Sequence, residues 1–107
     1  MTVALERYYA NNCHLRHGLP TVAVCAEELC ITANYLGEII RLQTGDTAIR
    51  FIGRFIISKA KSHLMEGKSI SETAYSLGFD FPSHLTRMFR RIEGISPSQY
   101  VKKLKSK

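Results

Sequence analysis

At 107 residues the chain is long enough for one packed domain and too short for two, and its 45% apolar and 22% charged residues describe a globular protein rather than a disordered or fibrous one. No apolar run approaches the roughly 20 residues of a membrane span and no signal-peptide pattern opens the sequence, so a cytoplasmic protein with no membrane partner is expected. Fifteen Lys and Arg against nine Asp and Glu give a net charge of +6, which favours a polyanionic partner without specifying one.

Thr2 to Asn11 reads as an opening helix with Leu5, Tyr8 and Tyr9 on its apolar side. Cys13, His14 and His17 follow, but residues 13 and 14 are neighbours and no second ligand pair stands at structural-zinc spacing, so no metal or other cofactor is expected. Cys13, Cys25 and Cys30 are odd in number and lack CxxC spacing, which reads as buried, reduced thiols.

The next stretch is repeated. At an offset of 48, Thr21 falls on Ser69, Val22 on Ile70, Ala26 on Ala74 and Leu29 on Leu77; at an offset of 49, Leu36 falls on Leu85, Ile40 on Phe89, Gly45 on Gly94, Thr47 on Ser96 and Phe51 on Tyr100. One inserted residue between Leu77 and Leu85 accounts for the change. Each copy reads as helix, tight turn, helix, with Ala26 or Ala74 where the two helices approach. In the first copy Leu36, Ile39 and Ile40 form the buried stripe and Gly45 the stop.

Thr47 then caps a continuous helix to Met65, about 18 residues and about 27 Å long, whose apolar residues Ile49, Ile52, Ile56, Ala60 and Leu64 recur at helical spacing. Gly53 weakens it by up to about 1 kcal/mol without breaking it, and Gly67 ends it. In the second copy Ser69 and Glu72 form a capping box, Gly78 breaks the first helix, and Pro82 fits the first turn of the next. Leu85, Met88, Phe89 and Ile92 are that helix's buried stripe, Gly94 its stop, and a closing helix starts at Ser96 and Pro97. The expectation is one all-α domain of seven helices over residues 1–107. It divides into a first helix-turn-helix unit with its leading helix (1–45), a connecting helix (46–66) and a second unit with its closing helix (67–107).

Ala74, Gly78-Phe79, Leu85 and Arg87-Met88-Phe89-Arg90, with the ending Gly94-Ile-Ser-Pro97-Ser-Gln-Tyr100, resemble the AraC/XylS family of transcription regulators, and the likeness runs from Leu19 to Tyr100. Val101 stands where the family commonly has arginine, and Leu85 where it commonly has phenylalanine. The resemblance implies a homeodomain-like tandem that binds double-stranded DNA in transcription regulation. It implies a C-terminal domain of a larger regulator whose N-terminal domain senses a ligand or dimerises, with a single-domain regulator as the alternative and RNA polymerase as a candidate protein partner.

Subtracting the buried stripes leaves Asn34, Glu38 and Arg41 on one outward face of the first unit, with Tyr35 beside them, and Ser83, Arg87 and Arg90 at the equivalent positions of the second. The resemblance implies that these faces lie in the major groove. Arg87 suits a guanine edge, Asn34 an adenine edge and Glu38 a cytosine amine, although Glu38 can equally pair with Arg41 or Arg54. His84 and Thr86 suit base or backbone contacts, Arg90 and Arg91 suit phosphates, and Lys102, Lys103, Lys105 and Lys107 add general attraction.

No grouping of nucleophile and base and no glycine-rich phosphate loop appears, so no enzyme is expected; a helical protein-interaction module is the remaining rival. Charge is uneven. Residues 21–45 hold Glu27, Glu28 and Glu38 against Arg41, a net −2, whereas residues 68–107 carry a net +5. The second unit is therefore expected to supply most of the non-specific affinity, and the first to lean on groove contacts.

Overall fold

The computed structural model describes residues 2–105, so Lys107 of the basic tail lies outside them. Among the described residues there are eight helices and no strand: α1 (Thr2–Ala10), α2 (Cys13–His17), α3 (Val22–Glu28), α4 (Ala33–Thr44), α5 (Ala48–Met65), α6 (Ile70–Leu77), α7 (Pro82–Glu93) and α8 (Pro97–Lys105). The expected count of seven is corrected by α2. This five-residue helix is too short to display a 3.6-residue period. Asn12, in the left-handed conformation at φ 59°, turns the chain into it, and α1 ends at Ala10 rather than Asn11.

Hydroxyl caps set most of the remaining starts. Thr21, Thr32, Thr47 and Ser69 each accept the backbone N–H three residues on, at 3.1, 3.1, 3.2 and 3.0 Å. The Glu72 carboxylate accepts the Ser69 N–H in return, completing the expected capping box. Ser96 and Gln99 make the same reciprocal pair ahead of α8.

The two units turn in the same way. The N–H of Ile31 donates to the Ala26 carbonyl and that of Phe79 to the Ala74 carbonyl, both at 3.0 Å, so α3 and α6 close with the same six-residue loop of hydrogen bonding. Each loop needs one left-handed residue, which is Gly78 (φ 102°) in the second unit and Cys30 (φ 58°) in the first. Asp80, between Phe79 and Phe81, is the inserted residue. A cysteine at positive φ pays a steric penalty that glycine avoids. Cys30→Gly is therefore expected to stabilise the domain by about 0.5–1 kcal/mol, seen as a higher urea midpoint at unchanged slope. An unchanged midpoint would mean that this turn stores no strain.

The core runs through both units, with Leu5, Cys25, Ala26, Leu36 and Ile40 from the first side and Ala74, Leu77, Leu85 and Phe89 from the second, joined by Ile52, Ile56, Ile57, Ala60 and Leu64 of α5. Two apolar positions depart from their sequence pattern, and the expected burial of the three thiols is corrected. Ile49 is 75% exposed, because α5 buries the face that carries Ala48, Ile52, Ile56 and Ile57 and Ile49 lies off it. Leu29 is 38% exposed whereas its counterpart Leu77 is 1% exposed, since α3 is one residue shorter than α6 and leaves Leu29 in the turn. Of the three thiols only Cys25 is buried; Cys13 is half-buried and Cys30 lies exposed on its turn.

Gly53 is buried within α5, where a Cβ would come within 3.1 Å of Ile92 Cδ1, so its place in mid-helix is explained by the close approach of α7. The opening segment also does more than lead into the first unit. The Tyr9 phenol donates to the Leu77 carbonyl at 3.0 Å in a buried hydrogen bond, and burial raises its pKa, keeping the donor proton in place. The Tyr8 phenol holds the Gly18 carbonyl at 2.7 Å. Gly18 and Gly78 meet backbone to backbone, so α2 is seated on the α6–α7 turn.

Candidate nucleic-acid interface

α4 and α7, the second helix of each unit, carry the candidate residues. On α4, Asn34, Tyr35, Glu38 and Arg41 are all exposed, while Leu36 and Ile40 are buried and Ile39 is half-buried on the opposite side. On α7, Ser83, His84, Arg87, Arg90 and Arg91 are exposed and Leu85 and Phe89 are buried. Thr86 is the exception. It is half-buried, and its hydroxyl donates back to the Pro82 carbonyl at 3.3 Å, which leaves it less free than its neighbours. His84 meets the ring of Phe81 edge-on at 5.3 Å, and Phe81 is itself an exposed aromatic at the start of α7.

The ion pairs separate structural from available cations. Arg7 pairs with Glu28 at 2.9 Å, Arg50 and Arg54 with Asp46 at 3.4 and 3.1 Å, Lys61 with Glu93 and Lys68 with Glu66. Lys59 lies over the rings of Tyr9 and Phe55. Among the described residues Arg16, Arg41, Arg87, Arg90 and Arg91 have no acidic partner and Glu38 has no basic one, so the alternative pairing of Glu38 with Arg41 or Arg54 is not formed. A guanidinium left without a carboxylate keeps its full charge for a phosphate or a base edge.

Beside α7 lies a cleft of about 490 Å³ lined by His84, Arg87, Met88 and Arg91, by Phe79 and Asp80 of the turn, and by Arg16, His17 and Leu19 of the opening segment. No local pattern of residues places Arg16 and His17 next to the second unit. Their proximity depends on the Gly18–Gly78 contact, which joins positions 60 residues apart and leaves no local signature. His14, one turn earlier, sits 4.7 Å from the Tyr9 ring, and burial together with the nearby Lys59 charge lowers its pKa.

This fold and its two outward faces define a tandem helix-turn-helix domain. Residues 25–103 match the family described as a helix-turn-helix domain, in its AraC-type form, and the chain belongs to that family of DNA-binding domains, which are not enzymes. Over 78 residues, 70% of the chain, it is 27% identical to YesN of Bacillus subtilis (strain 168), an uncharacterized transcriptional regulatory protein, covering 21% of that protein. Over 73 residues, 67% of the chain, it is 32% identical to the transcriptional activator RhaS of Escherichia coli O139:H28, covering 26% of that protein. The chain thus spans only about a quarter or less of these relatives' length. Its fold is similar to the DNA-binding domain of the global transcriptional factor AdpA, solved with a target DNA. The TM-score is 0.73 at 24% identity, over 96% of this chain and 94% of that one. Among the described residues no helix is long and apolar enough to cross a membrane.

Proposed function

We propose that the chain binds double-stranded DNA by laying α4 and α7 in two successive major grooves, as the DNA-reading part of a longer cytoplasmic transcription regulator. The observation that carries this reading is the pair of exposed helix faces whose arginines have no acidic partner among the described residues. The AdpA domain was solved with its target DNA, and a long dimension of 44 Å leaves room for recognition helices one DNA turn, about 34 Å, apart. Arg87 is assigned to a guanine edge and Asn34 to an adenine edge, with Tyr35, Glu38, Arg41, Ser83, His84 and Thr86 around them. Arg90 and Arg91 are assigned to phosphates. Ligand, dimer and RNA polymerase contacts are assigned to the longer protein.

Arg87→Ala should cost about 1–3 kcal/mol on a selected duplex and little on random DNA. Arg90→Ala should weaken both about equally and flatten the slope of log affinity against log salt by about one. Titrations of both variants against the two duplexes at several salt concentrations provide the comparison. Equal losses for Arg87→Ala on both duplexes would remove its reading role, and binding without salt dependence would favour the protein-interaction rival.

A further inference from the structure

We propose that Arg16 and His17 of α2 form a phosphate clamp with Arg91 of α7, and that the clamp holds the DNA backbone between the two half-sites. The proposal rests on the DNA-binding reading above. It goes beyond it by giving a direct role to a helix that precedes the first unit in sequence and lies outside both recognition helices.

Three observations carry it. The cleft is lined by Arg16, Arg87 and Arg91, none of which has an acidic partner among the described residues, and by one acidic residue, Asp80. Of the other five arginines three face a carboxylate, Arg7 that of Glu28 and both Arg50 and Arg54 that of Asp46, whereas Arg41 and Arg90 lie on the recognition helices themselves. A cleft that gathers unpaired guanidinium groups is an anion site, and their planar forks match phosphate oxygens.

The position of α2 is also fixed. Gly18 adopts φ 77° and ψ −152°, a conformation open essentially to glycine alone, and its carbonyl is held by the Tyr8 phenol at 2.7 Å. The ideal Cβ of Gly78 would stand 3.0 Å from the Gly18 carbonyl carbon and 3.2 Å from the His14 oxygen, so α2 rests directly on the turn that starts α7. Arg16 and His17 therefore move with the second unit.

The location of the cleft selects the occupant. Leu19 and Met88 line both this cleft and the adjoining groove formed by Val22, Ile49 and Ile52, so the cleft lies on the flank of α7 that faces the first unit. With α7 in one major groove and α4 in the next, that flank faces the sugar-phosphate backbone that separates the grooves. Arg87, which lines the cleft and is exposed on the outward face of α7, is left to the base edge.

The test uses the whole chain, a duplex selected for tight binding and a random-sequence duplex of equal length. Arg16→Ala should weaken both by roughly 3–10-fold and lower the salt slope by about 0.9, the value of one phosphate contact. Arg16→Lys should restore most of the slope, because a point charge still neutralises the phosphate. Arg7→Ala, which removes a cation already paired with Glu28, should change the slope far less. Ethylation of phosphates between the half-sites should block the parent protein and leave Arg16→Ala indifferent. If the parent binds with normal salt dependence while Arg16→Ala retains the slope and the ethylation pattern, the clamp is wrong and the DNA reading stands. A clamp effect matched by Arg7→Ala would reduce it to net charge. If the parent shows no salt-dependent binding to either duplex, the DNA reading itself falls.

Discussion

Ile56→Pro is expected to cost at least about 3 kcal/mol and, in the molecules that remain folded, to shrink DNA protection from two grooves to one. Ile56 lies near the middle of the 18-residue α5 and is 2% exposed, so the substitution removes a helix hydrogen bond, drives a ring against the preceding turn and empties a core position. The two units share α5 as their continuous rod, and a kink there changes both the distance and the rotation between α4 and α7. Ile56→Val provides the control. It should cost about 0.5–1.5 kcal/mol and leave both grooves protected, because the helix is kept. Urea unfolding and footprinting of the two variants separate lost stability from lost geometry. Two-groove protection at parental affinity in the proline variant would count against α5 as the spacer.

The parts of this fold governed by short-range rules were legible in the sequence. Thr47, Ser69 and Ser96 stand at helix starts, Gly45, Gly78 and Gly94 take positive φ, and Leu36, Leu85, Ile40 and Phe89 are buried at matched repeat positions. The repeat also located an insertion that the structure resolves as Asp80. What escaped was set by packing between segments distant in the chain. Ile49 shares the helical period of Ile52, Ile56, Ala60 and Leu64, but the orientation of α5 against its neighbours leaves that side chain in the open. Leu29 matches Leu77 in sequence, yet one residue less in α3 turns it outward. The candidate site was legible where it coincides with helix faces: Asn34, Glu38 and Arg41 on α4, and Ser83, Arg87 and Arg90 on α7, are all exposed. Thr86 lies partly inside the face, and Arg16 and His17 joined it only through the seating of α2 on the second unit.

That seating supplies the second large expected effect. Gly45 and Gly78 both take the left-handed conformation, at φ 73° and φ 102°, so an alanine at either meets a backbone penalty of about 1 kcal/mol. Their surroundings differ. No atom lies within 4 Å of a Cβ built on Gly45, whereas one on Gly78 meets Gly18 and His14 main-chain atoms at 3.0–3.2 Å. Backbone cannot swing aside as a side chain does, so Gly78→Ala must push α2 off the α6–α7 turn and strain the buried hydrogen bond from Tyr9 to Leu77. Gly78→Ala is therefore expected to cost about 3 kcal/mol and Gly45→Ala about 1 kcal/mol, the difference reflecting the lost contact. Parallel urea titrations give both values, and amide exchange at Gly18 and Leu77 should speed up only in the Gly78 variant. Equal costs for the two substitutions, with unchanged exchange at Gly18, would mean that the opening segment is not anchored to the second unit. The distance between the recognition helices would then depend on α5 alone.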